Sequence, residues 1–277
     1  MRARRWFGST YFALFQSRVV RSLRQTPLLG AVVHGISHLL LLWNARAWVE
    51  VESGIRRGLK LHLNPRYDSG YWRGDYEEDI QAILAKHLKP GAVVYDVGAH
   101  LGFFALIAAR LVGPGGIVFA FEPDPDNASR IREHIEANSF KRVSVVTSPV
   151  WSSNARVFFA RASDHSSRFV GSVTTEGDGT EGFYEQAVTL DDFAREHARP
   201  DFIKMDIEGG ETEALNGASH VFRKIRPLLL LEVHNGAAEE HVKTRLRDWG
   251  YSYEWLQPGP ASLPCHLMAW PETRSGN

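Results

Sequence analysis

Residues 93–111 read VVYDVGAHLGFFALIAARL, and this stretch decides the fold. It begins with an apolar run that reaches one acid, Asp96, passes through Gly98 and Gly102, and leads into an amphipathic segment. Such an apolar run is typical of a parallel strand that is covered on both faces of its sheet. The two glycines predict a tight turn at the carboxyl end of that strand, which is where open α/β sheets bind ligands.

The segments that follow continue the alternation of strand and helix. Further strands are predicted over 117–123, 142–149, 201–209, 226–235, 251–256 and 265–270. Helices are predicted over 75–88, 101–112, 124–138, 212–224 and 238–249. A βαβαβ order predicts parallel strands that are joined by right-handed crossovers. The sequence therefore predicts a Rossmann-like α/β domain with a mostly parallel sheet and helices on both faces.

Two less regular regions belong to the same domain. Short alternating strands are predicted over 49–64, ahead of the main alternation. In the middle, strands over 155–161 and 184–190 flank a segment rich in Ser, Thr and Gly over 163–182, which we expect to be a substrate lid or a mobile loop. No internal repeat is visible, so we expect one catalytic domain over 49–277.

The composition is that of an ordinary globular protein, with 44% hydrophobic and 23% charged residues. The formal net charge is zero, which argues against a protein that binds nucleic acid by neutralising many phosphates. Cys265 is the single cysteine, so the chain can form no intrachain disulfide and no multi-cysteine metal site. This usage fits a reducing compartment. We expect a cytoplasmic protein in which Cys265 is a small buried side chain on a late strand.

Residues 1–48 are predicted to form a basic helical extension. The segment YFALFQSRVVRSLR, over 11–24, places apolar side chains on one helical face and its arginines largely off that face. The apolar segment over 28–43 is shorter than the roughly 20 residues of a membrane span, and it contains two histidines. Three alternatives remain open: helices that pack on the main domain, peripheral contact of residues 1–46 with the inner membrane face, or a secretory signal, for which the basic region before the apolar segment is too long.

The turn after the strand at 93–97 discriminates between nucleotide ligands. A dinucleotide-binding turn has the pattern G-x-G-x-x-G, in which the middle glycine lets the backbone approach a pyrophosphate. Here His100 stands at the middle position, and the spacing is D-x-G-x-x-x-G from Asp96 to Gly102. A wider turn of this kind suits a cofactor that has an amino-acid end and a nucleoside end but no phosphates. Glu122 ends the next strand, where its carboxylate can accept both hydroxyls of a ribose.

These features predict S-adenosylmethionine as the cofactor and disfavour a nicotinamide-dependent oxidoreductase. The predicted cofactor-binding residues come from the turn, from the end of the second strand and from the segment that leaves the third strand beside the adenine. They are Asp96, Gly98, Ala99, His100, Gly102, Glu122, Pro149 and Val150. The alternative for the two glycines of the turn is that they only permit a helix and a strand to touch.

Six motifs stand in one order along the chain: Tyr76-Glu77, VVYDVGAHLGFF, FEPDPDNASRI, VTLDDF, DFIKMDIEGGE and LLLLEVH. In this order and spacing, over about residues 59–234, the chain resembles the FkbM family of S-adenosylmethionine-dependent methyltransferases. The segment KMDIEGGE resembles a signature of that family in particular. The resemblance implies a Rossmann-like class I methyltransferase fold and O-methylation, commonly of sugar or natural-product hydroxyls. His100 departs from the family, which usually carries Asn at this position.

The chemistry of methyl transfer indicates which side chains to look for. Transfer from a sulfonium to an oxygen is an in-line displacement, so alignment of the substrates does much of the work. A hydroxyl is nevertheless a poor nucleophile until a base or a metal ion takes its proton. Polar residues that could converge over one cleft lie on or after the fourth and fifth strands: Lys204, Asp206, Glu208, Glu211, Glu232 and His234.

Among these residues we expect Asp206, Glu208 and His234 to be catalytic, with His234 as a candidate base. Plainer roles remain open for three of the set. Glu211 can simply favour the amino terminus of a helix, Lys204 can be a buried ion-pair partner, and His234 can be an ordinary loop histidine.

The predicted function is S-adenosylmethionine-dependent O-methyl transfer to a hydroxyl of a sugar, glycolipid, lipid-linked sugar or natural product. A divalent metal is compatible with the mixture of Asp, Glu and His, but closeness in sequence does not establish one. The alternative is a non-catalytic protein that binds S-adenosylmethionine at a membrane surface. Asp96, Glu122 and Asp206 together favour the enzyme, because a binding protein has no need of both the cofactor end and the substrate end.

Overall fold

A computed structural model of the protein describes residues 46–64, 68–161, 171–174, 181–256 and 259–273. The extension over 1–45 and most of the segment over 163–182 lie outside these residues, so the expectations for them stay predictions. The chain divides into two compact units, one running up to Ala82 with Glu136–Ser139 added, and the other formed by Ile83–Ile135 and the chain from Phe140 onward.

The first unit contains the predicted pair of short strands. Its elements are β1 (Ala47–Glu50), a 3₁₀ turn (Gly54–Arg56), β2 (Lys60–Leu63), α1 (Ser69–Arg73) and the beginning of α2 (Glu78–His87). The strands pair antiparallel, with Ala47 opposite Leu63, and alternate side chains along them are buried. The side chain of Asn138 exchanges two hydrogen bonds of 2.8 Å with the backbone of Lys60. β1 begins at Ala47, inside the segment predicted as an extension.

The second unit carries two sheets. Its strands are β3 (Val93–Val97), β4 (Ile117–Phe121), β5 (Val143–Val146), β6 (Arg156–Arg161), β7 (Gly171–Thr174), β8 (Gly182–Gln186), β9 (Phe202–Met205), β10 (Leu228–Val233), β11 (Tyr251–Trp255) and β12 (Cys265–Pro271). Its helices are α3 (Phe103–Val112), α4 (Pro125–Ala137), α5 (Leu190–Glu196), α6 (Glu211–Asn216) and α7 (Gly236–Trp249), together with the second half of α2.

The larger sheet has seven strands in the order β11-β12-β10-β9-β3-β4-β5. Neighbouring strands from β10 to β5 pair parallel, whereas β12 lies antiparallel to both β10 and β11. The prediction of a mostly parallel sheet flanked by helices is confirmed. Because parallel strands end at the same edge, the residues that follow β3, β4, β9 and β10 meet there. The smaller antiparallel sheet has the order β7-β6-β8.

Aromatic side chains fill the core beneath this edge. Tyr95 packs edge-on against Phe119 and Phe193, with ring centroids 5.4 Å apart in both pairs. Phe121 adds a fourth ring, 4.8 Å from Phe193. Such packing is rigid, so the strand ends that carry the polar residues have fixed positions. Cys265 is buried on β12, as expected. In the part of the chain that the structure describes, every helix is too short or too polar to cross a membrane.

The segment after β9 differs from its prediction. The strand predicted over 201–209 ends at Met205, and the helix predicted over 212–224 is divided into α6 and a π-helical turn at Val221–Ile225. Tertiary contacts cause the division, because the carboxylate of Asp191 accepts the backbone N–H groups of His220 at 2.9 Å and Val221 at 2.8 Å. Gly217 also lies so close to another loop that a Cβ there would approach the Trp151 carbonyl oxygen to 2.2 Å.

Candidate active site

The glycine turn follows β3 directly, as the sequence predicts. The backbone N–H groups of Gly98 and Ala99 both donate to the carbonyl oxygen of Phe121, at 3.0 and 2.9 Å. Gly98 has a φ of +81°, and a Cβ at this position would lie 1.8 Å from the carbonyl oxygen of Asp206. Gly102 has a φ of +83° and directly precedes α3. Close packing is therefore one reason why position 98 carries a glycine. The same contact joins the turn to the segment that follows β9.

Glu122 is held by the backbone of two loops. One carboxylate oxygen accepts the N–H of His100 at 2.7 Å, and the other accepts the N–H of Asp124 at 2.9 Å. His100 takes up a φ of +52° in this arrangement. Burial raises the pKa of Glu122 to about 8, although both N–H donors act in the opposite direction. Since each carboxylate oxygen has two lone pairs, Glu122 can still accept a hydrogen bond from a hydroxyl group.

Asp96 and Lys204 form a buried pair in the centre of the sheet. They lie opposite each other on β3 and β9, and their side chains are only 2% and 3% exposed. Lys204 Nζ is 3.9 Å from the carboxylate of Asp96 and 3.2 Å from that of Asp206. It also lies 5.1 Å from the ring centroid of Phe104. Burial raises the pKa of Asp96 to about 6, against the effect of Lys204. Lys204 is thus a buried ion-pair partner, which is one of the roles that the sequence left open for it.

Pro149 and Val150 lie beside a backbone pairing rather than at an open edge. The N–H of Val188 donates to the Pro149 carbonyl at 2.9 Å, and the N–H of Trp151 donates to the Val188 carbonyl at 3.0 Å. The Val150 side chain is 5% exposed and belongs to the main hydrophobic core. Its predicted contact with adenine stays a prediction.

The acids after β9 converge on one histidine, as the sequence suggests. We call Asp206, Glu208, Glu211, Glu232 and His234 the carboxylate cluster. The Nδ1 atom of His234 lies 2.8 Å from a carboxylate oxygen of Glu211. Its Nε2 atom lies 3.3 Å from Glu208, 3.6 Å from Glu232 and 3.8 Å from Asp206. All three residues predicted to be catalytic therefore lie within one group of side chains.

The loop between β9 and α6 positions two members of the cluster. Glu208 has a left-handed backbone with a φ of +51°, and Gly209 follows with a φ of +99°. Glu211 is the first residue of α6, has no solvent exposure, and accepts the N–H of Gly209 at 2.9 Å as well as contacting His234. Glu211 therefore does more than favour a helix terminus, because its carboxylate fixes the orientation of the imidazole ring.

The charges of the cluster shift the pKa values of its members. Burial alone would raise the pKa of Asp206, but Lys204 and a hydrogen bond with Glu232 outweigh it and lower this pKa to about 2. Burial would lower the pKa of His234, but Glu211 and the neighbouring carboxylates raise it to about 9. Burial raises the pKa of Glu208. Without a bound ligand, His234 is therefore protonated at neutral pH, and a protonated imidazole cannot act as a base.

The sequence interpretation missed His266. This residue lies on β12 directly opposite Glu232, and its Nδ1 atom is 3.9 Å from the Glu232 carboxylate. Its side chain is 13% exposed. No motif surrounds His266 in the sequence, so only the antiparallel pairing of β12 with β10 could have indicated its place beside the cluster.

The chain is similar in sequence to known methyltransferases. Residues 96–253 match the sequence model described as "Methyltransferase FkbM domain". Over 180 residues the chain is 27% identical to the hexuronic acid methyltransferase AglP of Haloferax volcanii, which covers 64% of this chain and 71% of that protein. Over 64 residues it is 39% identical to a protein-L-isoaspartate O-methyltransferase of Ignicoccus hospitalis, covering 23% of this chain and 30% of that protein.

A solved structure described as the methyltransferase FkbM from Methylobacillus flagellatus KT is also similar. It is 17% identical, covers 74% of this chain and 62% of its own, and superimposes with a TM-score of 0.46.

Proposed function

Because the chain belongs to the FkbM family of S-adenosylmethionine-dependent methyltransferases, we propose that it methylates a hydroxyl of a sugar, glycolipid or natural product. One observation carries the proposal. We call the segment over residues 96–102, together with the Glu122 carboxylate that its backbone holds, the cofactor turn. The cofactor turn and the carboxylate cluster meet at one edge of the sheet, where Gly98 packs against the backbone of Asp206. The similarity to AglP, which is named for a hexuronic acid, supports a sugar as the acceptor.

The proposed cofactor site uses the turn and the ends of two neighbouring strands. Its residues are Asp96, Gly98, Ala99, His100, Gly102, Glu122, Pro149 and Val150. The glycine turn brings backbone rather than side chains to the cofactor, and the Glu122 carboxylate, already oriented by two N–H groups, accepts the ribose hydroxyls. His100 stands beside that carboxylate, since its own N–H donates to it. A basic side chain at this position distinguishes the turn from the usual Asn of the family.

The cofactor supplies an electrophilic methyl group on a positively charged sulfur. During transfer the methyl carbon–sulfur bond breaks with its electrons remaining on sulfur, and a bond forms from the acceptor oxygen to the methyl carbon. The hydroxyl proton must leave to a base of the protein. The chain therefore has to align the acceptor oxygen with the methyl group and to remove one proton.

Glu208 is the proposed base among the three catalytic candidates. Its side chain is 45% exposed, compared with 24% for Asp206 and 14% for His234, so an acceptor can reach it most easily. The carboxylate of Asp206, directly after β9, forms an ion pair with Lys204. In this assignment Asp206 orients the acceptor in the cleft. His234 lies 3.3 Å from Glu208 and holds that carboxylate in place. In this assignment His234 positions the base and does not act as the base.

The test is methyl transfer from S-adenosylmethionine to a panel of free sugars, uronic acids and lipid-linked sugars, measured as S-adenosylhomocysteine release. We expect Glu208→Gln and Asp206→Asn each to reduce the turnover by roughly 100-fold. Both variants should bind S-adenosylhomocysteine within about threefold of wild type, because neither residue belongs to the proposed cofactor site. The control is Glu240→Gln, which removes the same charge from a side chain that is 77% exposed on α7.

Two outcomes would contradict the assignment. Unchanged turnover in Glu208→Gln would move the base to another residue. Transfer to a nitrogen or a carboxylate, with none of the hydroxyl acceptors methylated, would replace O-methylation of hydroxyls as the reaction.

Contact of residues 1–46 with a membrane surface remains part of the proposal. It is supported by the arginine-rich amphipathic pattern over 11–24 and would suit an acceptor that is linked to a lipid. Deleting residues 1–45 should abolish cosedimentation with vesicles that contain anionic lipid. Unchanged cosedimentation of the deletion variant would contradict this contact.

A further inference from the structure

The carboxylate cluster contains three ligand atoms that are placed for one divalent cation. Asp206, Glu232 and His234 each offer one such atom, and these atoms all lie within 4.8 Å of one another. The three residues come from the end of β9, from β10 and from the residue after β10. Two carboxylates and one imidazole form a mixed set that suits Mn²⁺ or Mg²⁺, which prefer oxygen ligands. The lone thiol, Cys265, donates instead to backbone carbonyls.

The orientation of His234 is that of a metal ligand. Its Nδ1 atom contacts the fully buried carboxylate of Glu211 at 2.8 Å, which turns Nε2 toward Asp206, Glu208 and Glu232. In metal sites, a ligating histidine donates its other ring N–H to a carboxylate in the same way, and this outer contact fixes the tautomer and the ring orientation. Glu211 is the residue that would play this outer part here.

The Glu211 carboxylate that contacts His234 also carries a buried acceptor without a donor. The second carboxylate oxygen of Glu211 is inaccessible to solvent and has no hydrogen-bond partner among the residues that the structure describes. A buried acceptor without a donor is costly, typically by 1 to 3 kcal/mol. It belongs to the same carboxylate that contacts His234, so it borders the cluster.

The balance of charge favours a cation at the same place. Four carboxylates surround the imidazole of His234, and the neighbouring basic groups are Lys204, 3.2 Å from Asp206, and His266, 3.9 Å from Glu232. Lys204 contacts the Oδ2 atom of Asp206, whereas the Oδ1 atom faces His234. The lysine and a metal ion would therefore use different oxygens of Asp206, and both can be present at once.

We propose that Asp206, Glu232 and His234 bind one divalent cation, Mg²⁺ or Mn²⁺, with Glu211 as its outer-sphere support. On binding the cation, His234 releases its Nε2 proton to solvent, and the cation replaces that proton as the positive neighbour of Glu208. The bound cation would coordinate the acceptor oxygen and stabilise the negative charge that develops on it, while Glu208 takes the hydroxyl proton. This catalytic role rests on the proposed O-methyl transfer, whereas binding of the ion does not.

The first experiment measures Mn²⁺ binding to the full-length protein without any acceptor. Electron paramagnetic resonance of free Mn²⁺ should show one site per chain after treatment with EDTA and buffer exchange. Glu232→Gln should weaken the affinity by at least tenfold, and Glu211→Gln by roughly tenfold, since outer-shell changes cost 10- to 100-fold in metal affinity. Glu240→Gln is the matched surface control and should bind as wild type does.

A thermal melt accompanies each variant, and Asp206→Asn replaces Glu232→Gln if the latter does not fold. Absence of Mn²⁺ binding at millimolar concentrations would overturn the site. Equal binding in wild type and in the folded ligand variants would overturn the assignment of its ligands.

The second experiment tests whether the methyltransferase activity depends on the ion. Binding of S-adenosylhomocysteine should survive EDTA, because the proposed cofactor residues lie outside the cluster. Turnover of any hydroxyl acceptor found should fall by at least tenfold in EDTA and return with Mg²⁺ or Mn²⁺. Full turnover in EDTA would refute the catalytic role of the ion and leave the methyltransferase assignment intact. Failure to find any acceptor, with Mn²⁺ bound, would count against the proposed function and not against the site.

Discussion

The cofactor turn and the carboxylate cluster lie at the same edge of the sheet, but different forces organise them. In the turn, the backbone positions the charged group, since N–H groups of His100 and Asp124 hold both oxygens of Glu122. In the cluster, side chains position side chains, and His234 is oriented by carboxylates from three separate segments. The first region is built from segments that lie close together in the sequence.

The difference has a consequence for what each region can do. Backbone donors have fixed directions and are unaffected by pH, so the turn can be ready for its ligand in advance. A group of like charges is stable only with counter-charges, so the cluster responds to protons and cations. Gly98 is where the two regions touch, because its backbone packs on the carbonyl of Asp206. Three changes can break or sharpen this comparison.

The largest effect is expected from Gly98→Ala. A Cβ at this position would lie 1.8 Å from the carbonyl oxygen of Asp206, and the φ of +81° is unfavourable for alanine. We expect the free energy of unfolding to fall by about 3 kcal/mol or more, measured by urea denaturation. Gly91→Ala is the matched control, because Gly91 has a φ of +87° but no atom within 4 Å of its Cβ position. It should cost about 1 kcal/mol. If both variants lost the same free energy of unfolding, the contact between Gly98 and Asp206 would not contribute to stability.

The next largest effect is expected from Lys204→Met. The substitution keeps most of the aliphatic length but leaves the buried Asp96 and the half-buried Asp206 without their lysine. Removing one partner of a buried ion pair typically costs 3 to 5 kcal/mol, so we expect a loss of about 3 kcal/mol in urea denaturation.

Arg195→Met on α5 is the control for Lys204→Met, since Arg195 pairs with Asp192 at the surface and is 57% exposed. It should change stability by less than about 1 kcal/mol. If Lys204→Met also lost less than about 1 kcal/mol of stability, the cluster would not depend on its lysine.

The smallest effect is expected from Glu122→Gln in the cofactor turn. The amide keeps the shape of the side chain but has a single carbonyl oxygen as acceptor and carries no charge. We expect the affinity for S-adenosylhomocysteine to fall by about tenfold, or about 1.4 kcal/mol, measured by calorimetry. Glu185→Gln on β8 is a control in the smaller sheet. An unchanged affinity in Glu122→Gln would remove Glu122 from the proposed cofactor site.

The same residue predicts opposite effects of pH on folding and on binding. The pKa of Glu122 is raised from 4.5 to about 8 in the folded protein. Its contribution to stability is therefore fully present below about pH 4.5 and is lost as the pH rises through about 8. The affinity for the cofactor should instead rise over this range, because the ionised carboxylate is the stronger acceptor for ribose hydroxyls. Both dependences should be absent from Glu122→Gln.

Much of the cofactor region could be predicted from the sequence. The strand at Val93–Val97, the glycine turn and the acid after β4 are adjacent in the chain, and each leaves a local signal of apolar runs, glycines or a strand end. The parallel order of the strands followed from the alternation of helices and strands. What could not be predicted was that Glu122 is held by the N–H of His100, since this contact depends on the left-handed backbone of His100.

For the carboxylate cluster, the sequence could predict only which residues belong to it. Asp206, Glu208 and His234 could be placed at one edge because parallel strands end together. Their mutual distances, the role of Glu211 as the partner of His234 and the arrival of His266 on β12 depend on loop conformation and on strand pairing. The division of the helix after β9 also arose from distant contacts, because Asp191 takes the N–H groups of His220 and Val221.

The sequence by itself determined the fold class, the family and the edge of the sheet that carries the chemistry, because these follow from periodicity and from motifs of neighbouring residues. The tertiary structure decided which atom faces which. It buried Lys204 between two carboxylates, turned the Nε2 atom of His234 toward three acids and raised the pKa of that histidine to about 9. The physical reason is that charge interactions and burial depend on distances between residues far apart in the chain.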